Sequence, residues 1–579
     1  MADLLLHPAL PLLAAALLCL VLPARAGRVV VVVAPLVALV QLSLLEPGTS
    51  VTGTWLDFDV EVLRADRLAR AFGVIFAIAA GIAGTYGLRT QSPRERTSAL
   101  TYAGAAMAVV FAGDLLTFFV AWEIKAIAST FLVLQRRGGN SGRAGMRYLF
   151  VHVLGGKLLL AGVLWHLAET GSLAFESFAP SPATVLILLA CALSAAIPPL
   201  HAWLPDAYPE ASIAGTVFLS AYTTKAAVYA LARGFAGWEV LIWVGVVMAL
   251  YGVVYAVLEN DVRRLLGYHI ISQVGYMVAA VGIGTELAIN GATAHAFAHI
   301  LYKGLLLMGV GAVIHATGRS KMTELGGIAN RMRPVLALYM VGAVSISSFP
   351  LFSGFVSKEL AVQGASAAGF GAAVVLLKVA SVGTFLHTGL KLPYGTWFGP
   401  QGPGPRTDAG QPFRVGPVPP SMYVAMAISA ALNLAIGVRP ALLYQLMPFE
   451  VTYDVYTLGK VVETSQILLF TALASWLLLD RLGAKAMISL DADWFYRRLP
   501  RRMVEARLPR LTRRAPVEGP VADEPAPAGL LVRARALMLE RAAERPPGAP
   551  PPVAATWLLG TVILGSGVLL LGLSLVVRV

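Results

Sequence analysis

The chain has 579 residues, 57% hydrophobic and only 13% charged, with a mean hydropathy of +0.72. Soluble domains carry about 25% charged residues, so a soluble globular protein is excluded. The net charge of +13 is local: 12 arginines against 6 acids lie between Arg497 and Arg545. Beside apolar spans, such a stretch reads as a cytoplasmic segment touching anionic lipid rather than as a nucleic-acid site. Cys19 and Cys191 both fall in apolar runs and suggest neither a disulfide framework nor a metal site.

Apolar runs of membrane-spanning length recur along the chain, which predicts an all-α polytopic membrane protein. The first, 3–23, has its positive charges after the apolar stretch, the wrong polarity for a signal peptide, and is expected to be a span. The others are expected near 28–46, 66–90, 98–112, 114–135, 145–168, 183–205, 211–234, 237–258, 262–284, 291–316, 333–366, 370–392, 421–441, 463–481 and 555–577, sixteen in all. Every basic loop, among them "RTQSPRER", "ENDVRR" and the Arg497–Arg545 stretch, follows an odd-numbered span. Positive-inside orientation then puts both termini on the outer side of the inner (plasma) membrane and the basic stretch in the cytoplasm.

Two spans carry helix breakers. The seventh contains "SAAIPPLHAWLP" and the twelfth "SISSFPLFSGFVSKEL". Proline removes a helix hydrogen bond and glycine loosens the turn, so both are expected to break inside the membrane. They lie five spans apart, and an odd offset reverses orientation. The sequence therefore predicts two inverted five-helix repeats, 98–234 and 235–392, each a half-channel with one broken helix. Around them lie peripheral helices at 1–97, further spans at 393–481, a basic Pro/Arg-rich segment at 482–554 and a final span at 555–579.

Ionisable residues inside spans are expensive and mark ion paths. Span 5 has Asp114 at its outer end, then Glu123 and Lys125; span 6 has His152 and Lys157; span 8 has Lys225. Span 11 carries His295, His299 and Lys303 at i, i+4 and i+8, span 12 has Lys358, and span 13 has Lys378, His387 and Lys391. Lys391 lies near a helix end and is expected to snorkel. Lys225 and Lys378 take corresponding places in the two repeats. Loss of hydration disfavours an ammonium ion and a nearby carboxylate favours it, so a buried lysine can be switched between holding and releasing a proton. Histidine relays between such groups. The line Glu123, Lys157, Lys225, His295, His299, Lys303, Lys358 and Lys378 is expected to conduct protons. Two histidines on one helix face also suit zinc, but the third group is a lysine, which repels a cation. Hydrogen bonding between helices is the other reading of the pair.

With these residues in place, "PPLHAWLPDAYPEA", "ENDVRRLLGYHIISQVGYM", "AHAFAHILYKGLLLMGVGAVIHATG" and "SSFPLFSGFVSKE" resemble the antiporter-like, proton-translocating subunits of respiratory complex I. The same fold serves Mrp-type multisubunit Na+/H+ antiporters and membrane-bound hydrogenases. The resemblance runs from about Asp66 to Ala441, and "VGTFLHTGLKLPYGTWFG" with "LDADWFYRR" is most similar to the D-type subunits of Mrp antiporters. It implies that Glu123 is the glutamate of the fifth helix, Lys225 the lysine of the eighth, and His295, His299 and Lys303 the central relay. Lys358 becomes the terminal group of the second broken helix. Ser194 stands where most members carry a lysine, and Lys157 or Lys125 is expected to take that place, with Lys157 as sensitive to alanine as Lys225. The C-terminal region resembles a shortened lateral arm, with an amphipathic helix around 530–544.

No nucleophile, phosphate loop or cofactor motif occurs, so the chain is expected to carry no bond chemistry and no cofactor. The leading expectation is a proton-conducting subunit of an Na+/H+ antiporter that works with other membrane subunits. A proton-pumping subunit of a redox-driven complex and an energising subunit for inorganic-carbon uptake are the alternatives.

Overall fold

The computed structural model of the chain describes residues 3–55, 58–136, 140–399 and 415–478, together with 485, 491, 492 and 494. The expected lateral-arm helix at 530–544, most of the basic segment and the span at 555–577 lie outside the described residues.

The chain opens with α1 (Leu10–Val21) and α2 (Ala24–Leu44), parted at Pro23. The acidic loop that follows is a hairpin of β1 (Ser50–Trp55) and β2 (Phe58–Arg64). Next come α3 (Arg67–Gly87), α4 (Pro93–Phe111), α5 (Leu115–Leu134), α6 (Ser141–Thr170), α7 (Pro182–Ser194), α8 (Trp203–Ala207) and α9 (Ile213–Gly234). Then follow α10 (Val240–Leu258), α11 (Val262–Ile283), α12 (Glu286–Thr317), α13 (Arg333–Ile346), α14 (Ser353–Ala367) and α15 (Gly371–Thr384). The last described helices are α16 (Pro420–Val438), α17 (Ala441–Tyr444) and α18 (Leu458–Leu477). Helix α15 continues as π turns over Phe385–Lys391. Aspartates start three helices by accepting backbone N–H bonds: Asp66 from Ala69, Asp114 from Leu116 and Thr117, and Asp261 from Arg263 and Arg264. Asp114 is therefore a helix cap that also accepts the Glu61 N–H at 2.9 Å, and not a membrane charge.

Among the described residues, α2, α3, α5, α6, α10, α11, α12, α16 and the α15 segment to Phe398 are long and apolar enough to cross a membrane. Helices α1, α7 and α13 are apolar but shorter. The spans expected at 98–112, 211–234 and 463–481 coincide with the more polar α4, α9 and α18. The surface is turned inside out: Val29, Leu36, Val40, Trp243, Val247, Val254, Val375, Leu469 and Phe470 are exposed, while the charges lie within.

Both expected breaks occur, and they share one geometry. Helix α7 stops at Ser194 and α13 at Ile346. Two residues on, Ala196 (φ 60°) and Ser348 (φ 64°) take left-handed conformations. The closing bonds match: Ala195 N–H to Cys191, Ala196 to Leu193 and Ile197 to Ala192, against Ser347 to Ala343, Ser348 to Ser345 and Phe349 to Val344. This is the left-handed closure of a helix C-terminus, and it leaves the final carbonyls free for other donors. At the second break the helices come very close. A Cβ on Gly354 would overlap the Ser345 carbonyl oxygen. Gly354→Ala is therefore expected to destabilise the chain by about 3 kcal/mol, seen as lower yield and a lower midpoint of thermal unfolding in detergent.

Apolar side chains gain little by leaving lipid for protein, so close packing of small residues holds such helices together. Helices α10 and α11 show this most clearly. An added Cβ at Gly245, Gly252, Gly275 or Gly282 would meet backbone atoms of the facing helix. Helix α12 is the hub, packed against α3, α9, α11, α13, α14 and α16.

Candidate functional site

The α12 hub carries the histidine–lysine face. His295, His299 and Lys303 are fully buried. The two imidazole centroids are 6.2 Å apart, and Tyr302 lies beside them, 5.4 Å from His299 and 6.3 Å from His295. His295 Nδ1 is 3.2 Å from Ser357 Oγ on α14. Among the described residues, neither ring nitrogen of His299 has a hydrogen-bond partner, nor has Lys303 Nζ. An unsatisfied buried polar group costs about 1–3 kcal/mol, so these groups are suited to water-relayed exchange rather than to fixing the fold.

Lys225 and Lys358 stand on either side of this face. Lys225, fully buried in α9, donates to the Ser220 carbonyl at 2.8 Å and to Thr224 Oγ1 at 3.2 Å. Its charge reaches both His299 and Lys303. Lys358 donates at 2.7 Å to the carbonyl of Ile346, the last residue of α13. The break thus supplies an acceptor at the negative end of a helix, where a cation is favoured. Lys358 also reaches Ser381 Oγ at 3.4 Å and lies 5.4 Å from the Tyr276 ring centroid.

In the first half, Glu123 on α5 presses against α6, where a Cβ on Gly156 would overlap its carboxylate. The cations whose charges reach it are Lys157 and Lys125. Lys157 is half-buried. Lys125 is fully buried, 3.3 Å above the Trp122 ring centroid, and its Nζ has no hydrogen-bond partner among the described residues. Its field reaches Cys191 and His152. Ser194, one helical turn beyond Cys191, and His152 Nε2 are likewise without a partner among the described residues. Lys125 therefore acts on the helix that ends at the first break.

Sequence reasoning passed over His269 on α11. Its ring lies 4.6 Å from His387 in the π turns, and its Nδ1 is 2.8 Å from Thr388 Oγ1. The field of Lys303 reaches both imidazoles. An imidazole inside a 22-residue apolar helix was the signal that could have found it. His201, between α7 and α8, was also passed over. Its Nε2 is 3.0 Å from Asp491 Oδ2, which also accepts from the Tyr268 hydroxyl at 2.5 Å. Lys378 is not brought to the central line; it pairs with Glu463 on α18. Lys391 donates to the Val257 and Glu259 carbonyls at the end of α10, so it caps a helix instead of snorkelling. No cluster of three or more metal-ligating residues occurs among the described residues.

A family profile described as "NADH:quinone oxidoreductase/Mrp antiporter, TM" matches residues 112–384. NADH-quinone oxidoreductase subunit N of Desulforudis audaxviator is 32% identical over 396 residues, covering 63% of this chain and 77% of that protein. The chain belongs to this family. Hydrogenase-4 component B of Escherichia coli is 29% identical over 51% of this chain, which spans half the length of that relative. The Na+/H+ antiporter D subunit of Alkalihalophilus pseudofirmus is 34% identical over 42% of this chain and 54% of its own length. The fold is shared with a subunit of the Mrp complex from Dietzia sp. DQ12-45-1b, at TM-score 0.67 and 24% identity over 80% of this chain and 98% of that one. It is also shared with a subunit of an archaeal membrane-bound sulfane sulfur reductase, at TM-score 0.69 and 22% identity over 96% and 98%. The chain is thus a multi-pass, antiporter-like membrane subunit of the kind found in Mrp and complex I assemblies.

Proposed function

We propose that the chain is the proton-conducting subunit of a multisubunit Na+/H+ antiporter, working in the inner membrane with partner subunits. The observation that carries this reading is the buried series from Lys225 on α9, through His299, Lys303 and His295 on α12, to Ser357 and Lys358 on α14. Protonating one amine raises the cost of a second charge nearby, so a proton arriving at Lys358 drives one out of the histidine–lysine face toward Lys225. Glu123, with Lys157 and Lys125, sets the charge state at the entrance to the first half-channel, 98–234. The second half-channel, 235–392, holds the relay and Lys358. The positive-inside reading places both termini outside and the basic stretch at anionic lipid inside.

Similarity to the NADH-quinone oxidoreductase relative over 77% of its length favours one second reading, a proton-pumping subunit of a redox-driven complex. Everted vesicles from cells expressing the chain with its neighbouring genes separate the two. A respiration-driven pH gradient is set up, Na+ is added, and the gradient is followed with a pH-sensitive dye. Sodium-dependent collapse that is lost in Lys225→Ala is the expected result. No response to Na+ from a confirmed complex would favour the redox-driven reading.

A further inference from the structure

Five charged side chains meet where α14, α15 and α18 converge. Lys358 and Glu359 come from α14, Lys378 from α15, and Lys460 and Glu463 from α18. Glu463 pairs with Lys378 and lies 3.7 Å from Lys460, which in turn is 3.5 Å from Glu359. The space among them is a cavity of about 40 Å³ lined by Lys358, Glu359, Lys378, Ser381 and Glu463. A water needs roughly 10–15 Å³ measured in this way, so two or three fit. Exposure rises along the group. Lys358 is 3% exposed as a residue, and the side chains of Glu359, Lys378 and Glu463 are 11%, 29% and 40% exposed.

We propose that Glu463 is the outer proton-uptake group of the second half-channel, and that α18 therefore belongs to the ion path and not to the periphery. The inference rests on the proton-conducting antiporter reading above and assigns its outer mouth. Three lysines against two glutamates leave no excess of carboxylates, which disfavours a bound metal cation. The Lys378 ammonium gives a proton through cavity water and Ser381 to the Lys358 amine. Glu463, protonated from water at the surface, hands its proton to the Lys378 amine and is a carboxylate again. Each transfer leaves its donor ready for the next proton, and no other reactant is consumed. Loop charges put this end of α18 on the outer side, so protons enter here, the direction in which a proton gradient drives Na+ out.

The rival is a plain staple between α15 and α18, and the test must separate the two. In the vesicle assay, with rates expressed per assembled complex, Glu463→Gln is expected to lower sodium-dependent proton movement about tenfold or more. Glu463→Asp is expected to restore roughly half of it, because a carboxylate is again present. The double variant Lys378→Gln/Glu463→Gln, whose two amides can still bond to one another, is expected to stay slow. Wild-type rates in Glu463→Gln or in the double variant, beside a dead Lys358→Ala, would reduce the pair to a staple and overturn the assignment. Wild-type rates in Lys358→Ala itself would instead overturn the proton path on which the assignment rests.

Discussion

Lys358→Ala is expected to stop proton movement while leaving the complex assembled. The change removes the amine that stands between Ser357, beside His295, and Ser381, beside the outer cavity. Losing a positioned proton-transfer group typically costs 10²–10⁴-fold in rate, so activity should fall by about 10²-fold or more. The orphaned Ile346 carbonyl adds about 1–3 kcal/mol of instability, too little to prevent folding of a chain this size. Lys225→Ala should behave alike, because its ammonium also bonds to a backbone carbonyl and not to a core apolar group. Lys358→Arg sharpens the test. Guanidinium keeps the charge but does not give up its proton, so the variant should also be inactive. Full transport in Lys358→Arg would mean that the position supplies only a fixed charge. The readout is dye-monitored gradient collapse in vesicles, with partner subunits quantified in the same preparation.

Lys125→Ala is the second large effect. From sequence, the amine absent at Ser194 is expected to be replaced by Lys157 or Lys125, with Lys157 as sensitive as Lys225. Burial shifts that expectation. Lys125 is fully buried and reaches the turn of α7 that holds Cys191, one turn from Ser194, whereas Lys157 is half-buried and serves Glu123. Lys125→Ala should therefore match Lys225→Ala, with a loss of about 10²-fold, and Lys157→Ala should lose less. Restoring a lysine in Ser194→Lys/Lys125→Ala should recover part of the rate. Wild-type transport in Lys125→Ala, with an inactive Lys157→Ala, would return the role to Lys157.

Much of this architecture was legible because membranes restrict what a chain can do. Apolar runs locate helices, and Pro198, Pro199, Pro350 and Gly354 locate the two breaks, since few residues interrupt a helix there without replacement partners. The i, i+4, i+8 spacing alone puts His295, His299 and Lys303 on one face. What spacing could not supply was which helices face each other. Glu463 reads as the polar start of a peripheral helix until α18 is packed on α15. Lys378 and Lys225 take corresponding sequence positions, yet one ends near the surface and the other in the centre. Helix α9 is enclosed by α3, α4, α11 and α12, while α15 shows one face to lipid. His387 owes its meeting with His269 to π turns, whose wider winding shifts the helix face by a residue in a way that period counting misses.

The glycine contact between α10 and α11 has a mechanical consequence. Where two backbones touch with no side chains between them, there are no ridges to slide over one another, and any shear must first prise the helices apart. That pair is a stiff strut. By contrast, Ala196, Ser348 and Leu351 hold left-handed backbone angles that cost non-glycine residues roughly 1–2 kcal/mol each. Among the described residues these left-handed turns lie in the two gaps beside the proposed ion path, while the strut holds α10 and α11 at a fixed separation.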